Sequence, residues 1–97
     1  MRIDKLLWFL RLAKTRSAAQ SLVCAGHIRL NGKRIDRSAQ AVCVGDVMVI
    51  PLPRGVAVIE LTAMPERRGP ASEAQACYRV LDGMAGVPLA APENNSP

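Results

Sequence analysis

Lys14, Thr15, Arg16 and Ser17, followed one helical turn later by Gln20, set two cations and three hydrogen-bond donors at the start of an amphipathic segment. Free helix-start amides beside such side chains suit the binding of phosphate, the chemistry a protein needs against a polyanion. The same residues also suit an ordinary solvated, capped helix start. A second group follows in HIRLNGKR, where His27, Arg29, Lys33 and Arg34 surround Asn31 and Gly32. Arg2, Lys5 and Arg11 complete the candidates.

Residues 1 to 37 carry nine Lys or Arg against Asp4 and Asp36, a surplus of seven. The remaining 60 residues carry four basic side chains against six acidic ones, so the whole-chain +5 arises entirely in the first segment. Charge concentrated on one small module points to RNA or DNA. At 97 residues and 49% hydrophobic content the chain is one small domain with a real core.

Enzymatic chemistry finds little support. No nucleophile elbow, phosphate loop or paired-carboxylate motif is visible, and His27 is the one histidine. Cys24, Cys43 and Cys77 are widely spaced and form no CxxC pair, so neither a zinc site nor any other metal site is expected, and no cofactor. Small buried thiols in a reducing compartment are the expectation. No apolar run approaches the ~20 residues that span a bilayer, so the reading is cytoplasmic, without membrane attachment or signal peptide.

The elements that must position these residues follow from periodicity. Ile3, Leu6, Leu7 and Leu10 give the core stripe of a helix over about 4–12, capped by Asp4, which could alternatively orient Arg2 or Arg16. Thr15 caps a second helix to about Ala25, ended by Gly26, with Ala18, Leu22 and Ala25 on one face and Arg16, Gln20 and Cys24 on another. Asn31 and Gly32 mark a type I′ hairpin turn, which places His27 and Arg29 off the core face and makes the turn residues structural first. A strand ends at Pro51 and Pro53, and another runs over 56–64. Ser72 and Gln75 have capping-box spacing, opening a third helix over about 73–82 with Ala74, Cys77, Tyr78 and Leu81 in line. Trp8 and Phe9 sit on opposite margins of the first helix, and three aromatics in all favour structured RNA over a base-stacking platform. Arg67 and Arg68 either extend the basic surface or lie in a solvated loop.

The stretch RIDKLLWFLRLAKTRSAAQSLVCAGHIRLNGKRI, followed by VGDVMVI, closely resembles the RNA-binding domain named after ribosomal small-subunit protein four, the alpha-L motif. The resemblance covers about residues 2 to 50. ERRGPASEAQACY further resembles the segment that follows this domain in the heat-shock protein fifteen family, here without the long basic C-terminal extension of some members. The resemblance implies an α+β fold in which two N-terminal helices pack on a small antiparallel sheet, with a short C-terminal helix. Residues 1–64 would form the RNA-binding domain with its sheet, 65–83 a loop and helix, and 84–97 a disordered tail. It implies binding of structured ribosomal RNA of the large subunit and favours Lys14 and Arg16 as ligands; the full candidate set is Arg2, Lys5, Arg11, Lys14, Thr15, Arg16, Ser17, Gln20, His27, Arg29, Asn31, Gly32, Lys33 and Arg34. Peptidyl-tRNA on that subunit is an implied partner and the rescue of stalled subunits an implied task. DNA is a secondary partner and a monomer the expected state. A general structured-RNA, DNA-binding or protein-interaction module is the alternative.

Overall fold

The stripe of Ile3, Leu6, Leu7 and Leu10 becomes fully buried along α1, Ile3–Phe9, and its C-cap. The computed structural model describes residues 1–53 and 55–82. α1 begins one residue earlier than expected and ends by Leu10, where Arg11 takes a φ of +62°. Arg2, not Asp4, is its N-cap. The first two helical amides donate instead to the carbonyls of Gln40 (2.8 Å) and Ser38 (3.3 Å), and Arg2 bridges to Ala41. The incoming chain thereby satisfies donors that a capping side chain would otherwise take.

Thr15 does cap α2, Arg16–Cys24, its Oγ1 accepting from the Ala18 amide at 3.0 Å. The buried face differs from the expected one. Ala19 and Val23 are fully buried with Leu22 packed beside them, whereas Ala18 and Ala25 are exposed. One residue turns a helix by about 100°, and the bulkier, β-branched Val23 takes the interior position. Cys24 lies on the opposite, exposed side of the helix. Cys43, beside the turn at Gly45, is also exposed and Cys77 is half-buried, so the expectation of buried thiols fails.

The chain then builds one antiparallel sheet of order β2-β1-β3-β4-β5. β1, Ile28–Leu30, and β2, Lys33–Ile35, are joined by Asn31 at φ +51° and Gly32 at φ +82°, the left-handed pair a type I′ turn requires. β3 spans Val47–Leu52 and β4 Gly55–Leu61. Pro51 does not end β3 as expected. Leu61 N bonds Asp46 O, so alternation turns the Pro51 nitrogen to the other edge, past the last β1 pair at Arg29 and Val49. No ladder bond is lost there.

The third helix is the largest correction. α3 covers only Ala71–Gln75, with Pro70 as N-cap and no side-chain cap bond, and Tyr78–Asp82 is strand β5. The open edge of β4 decides this. Tyr78 pairs with Leu61, Arg79 with Glu60 and Val80 with Ile59, burying Tyr78 while Arg79 stays exposed. The sheet thus runs across the boundary drawn at residue 64, and the tail assigned to 84–97 lies outside the described residues. The α+β architecture with two N-terminal helices on a small antiparallel sheet stands.

Candidate nucleic-acid interface

At the junction of α1 and α2 lies Asp4, a carboxylate with no solvent exposure. Its Oδ1 accepts from the Lys5 amide (2.7 Å) and Arg2 Nε (3.2 Å). Its Oδ2 accepts from Arg2 Nη2 and Gln20 Nε2, both at 3.1 Å, and Arg16 Nε lies 3.5 Å away. Burial by itself pushes the carboxyl pKa up. The bonds from Gln20, the Lys5 amide and Arg2, with the Arg16 charge, outweigh it and hold the group below its ordinary 3.8. Three expected site residues, Arg2, Arg16 and Gln20, are therefore one assembly. The arginine side chains remain 47% and 40% exposed around their hidden anion.

Lys14, Thr15 and Ser17 are exposed at the start of α2. The Lys5 ammonium lies 5.3 Å from the Phe9 ring centre, within cation–π range. Arg11 is used differently, its Nη1 donating to Gly69 O at 3.1 Å. Arg68 reinforces that clasp by donating to Trp8 O at 3.0 Å with its guanidinium over the indole, while Arg67 pairs with Glu73. Arg11 and Arg68 thus tie the 65–70 segment to the end of α1.

The hairpin forms a separate group. Arg29 and Arg34 are direct cross-strand partners, both exposed, and neither makes an ion pair among the described residues. His27 shares their side of β1, and Lys33 sits next to the turn. The Arg34 guanidinium lies over Gly26, where a β-carbon would come within 2.9 Å of Nη2. Asn31 is occupied by the fold. Its backbone amide donates to Val47 O, its side-chain amide donates to Asp46 Oδ1 (3.1 Å), and its Oδ1 accepts from the Val47 amide (2.9 Å).

Asp4 lies outside the expected binding set, and of its two readings, cap or orienting group for Arg2 or Arg16, the structure shows the second. A cavity of about 260 Å³, lined in part by Glu66, Arg67, Glu73 and Cys77, holds none of the expected site residues. Burial and the nearby Glu73 raise the Cys77 pKa, disfavouring the nucleophilic thiolate. Among the described residues no His, Cys, Asp and Glu group is arranged to hold a metal ion, and no helix is long and apolar enough to cross a membrane.

The S4 domain family model matches residues 1–48, the two helices, the hairpin and the entry into β3. The small ribosomal subunit protein uS4 of Listeria welshimeri is 45% identical over 49 residues, covering 50% of this chain and 24% of that protein. Its counterpart in Fusobacterium nucleatum is 38% identical over 61 residues, covering 62% and 31%. The chain spans between a fifth and a third of the length of these curated relatives. The trimeric Heat Shock Protein 15 of Vibrio cholerae superposes with a TM-score of 0.78 at 32% identity, covering 84% of this chain and 81% of that one. Because that likeness covers far more of the chain than the 48 residues of the family match, the chain belongs to the S4-domain family of RNA-binding folds and is related to heat shock protein 15.

Proposed function

We propose that the protein binds structured ribosomal RNA, with the α1–α2 junction and the hairpin as its contact surfaces. The observation that carries this reading is the pair of half-exposed guanidiniums, Arg2 and Arg16, fixed on one buried carboxylate beside the exposed Lys14, Thr15 and Ser17. Rigid cations and hydroxyl donors suit recognition of phosphates and 2′-hydroxyls by shape. Its kinship with heat shock protein 15 supports the finer reading, association with the large ribosomal subunit in the cytoplasm and return of stalled subunits, with peptidyl-tRNA nearby. Binding without catalysis is the role.

Sedimentation of the tagged protein through a cell-extract gradient tests the ribosomal partner, and cosedimentation with large subunits is expected. A position only at the top would count against it. Competition among duplex DNA, structured RNA and purified subunits separates the ribosomal role from general nucleic-acid binding. A steep fall of affinity with salt is expected, and a flat salt dependence would remove the electrostatic basis of the proposal.

A further inference from the structure

We propose that Asp4 is a positioning residue for RNA recognition, a buried anion that strengthens binding to a polyanion by fixing Arg2, Arg16 and Gln20 as one rigid unit. The inference rests on the RNA-binding reading above and assigns a role to a residue that cannot itself touch the ligand.

Three observations support it. Asp4 is inaccessible while both of its arginine partners reach solvent, so its effect on any ligand passes through them. Arg16 approaches through Nε alone, leaving both terminal nitrogens unengaged among the described residues, and Arg2 uses Nε and Nη2, leaving Nη1. Donors remain to point outward from a fixed base. Finally, stability alone is a poor reason to bury this charge, since buried ion pairs recover little over apolar packing. Asp4 is not the N-cap residue, and of the first-turn amides its side chain takes only that of Lys5, Ile3 N and its own amide being bonded to Gln40 and Ser38. Fixing long, flexible side chains before the ligand arrives lowers the entropy lost on binding.

The test turns on sign. Asp4→Asn removes a negative charge from a protein that binds a polyanion, so electrostatics alone predicts tighter binding. Positioning predicts the reverse, a loss of about tenfold or more, because an amide cannot accept from all these donors at once. The probe is labelled RNA purified from ribosomes, titrated at fixed salt with circular dichroism to confirm folding. Equal or tighter binding by the folded Asp4→Asn variant would overturn the inference. In an Arg2→Ala, Arg16→Ala background the same change should no longer weaken binding, and a continued loss there would mark Asp4 as merely structural. If Asp4→Asn does not fold, Asp4→Glu serves. It keeps the charge and both arginines but moves the carboxylate by one methylene, so weaker binding supports positioning and unchanged binding overturns it. Absence of salt-dependent binding by the unaltered protein would instead remove the functional reading itself.

Discussion

The α1–α2 junction and the β1–β2 hairpin carry charge of the same sign and hold it by opposite means. At the junction two guanidiniums share a carboxylate hidden from water, so their geometry is set by ion pairing and by helix packing. In the hairpin Arg29 and Arg34 oppose each other across the strands with no ion pair among the described residues, held by backbone register and, for Arg34, the bare surface of Gly26. Cross-strand like charges destabilise a hairpin. At the junction, then, the cations support the fold. In the hairpin the fold supports the cations.

The largest break of this contrast is Asp4→Ala. Losing the shared anion should cost about 2 kcal/mol, less than for a fully enclosed pair because both arginines are half-exposed. Chemical denaturation at neutral pH checks this. The folded-state pKa of Asp4 lies below its ordinary 3.8, so the carboxylate's contribution is complete above that value and disappears as pH falls through the folded one. Stability of the unaltered protein should therefore drop in that acid range by more than that of Asp4→Asn. Parallel acid profiles would mean that Asp4 is not the linked group.

The two regions also differ in how far the sequence reveals them. The hairpin is legible because what sets its turn and register is local. Asn31 and Gly32 set the turn, the turn sets the register, and the register puts Arg29 opposite Arg34. The junction is only half legible. The helices and the Thr15 cap follow from local pattern, but the meeting of Asp4 with Arg16 and Gln20 depends on which face of α2 turns inward, and the observed face lies about one residue from the one the apolar spacing indicates. The bond of Arg11 to Gly69 O is invisible until the 65–70 segment folds back on it. Residues 78–82 show a helical stripe, yet the unpaired edge of β4 draws them into the sheet. There a partner distant in sequence overrides the local preference.

Glycine substitutions sharpen the hairpin side at a smaller scale. At Gly32 a β-carbon would meet nothing within 4 Å, so the cost of Gly32→Val is chiefly backbone strain at φ +82°, about 1–2 kcal/mol. Gly26→Ala adds the contact with Arg34 to a φ of +81°. It should lower stability by about 1 kcal/mol and displace the guanidinium, weakening RNA binding more than Gly32→Val does. Thermal melts and RNA titrations of the pair check the order, and equal affinities would show that the seating of Arg34 over Gly26 is immaterial.

The smallest effect on stability is the most discriminating. Arg29→Gln leaves a shorter, neutral polar side chain and removes one of two opposed charges. The fold should be unchanged or stabilised by up to about 0.5 kcal/mol, because the repulsion with Arg34 is relieved and no ion pair among the described residues is lost. RNA affinity should nevertheless fall, and the log-log salt slope should shrink by about one if the side chain neutralises one phosphate. Arg16→Ala should move both quantities in the same direction, since it withdraws a donor from the buried Asp4 as well as a cation from the surface. The decisive result is the sign of the stability change. A destabilising Arg29→Gln would mean that the hairpin cations have an unrecognised anionic partner, and the division between cations that hold the fold and cations that the fold holds would collapse.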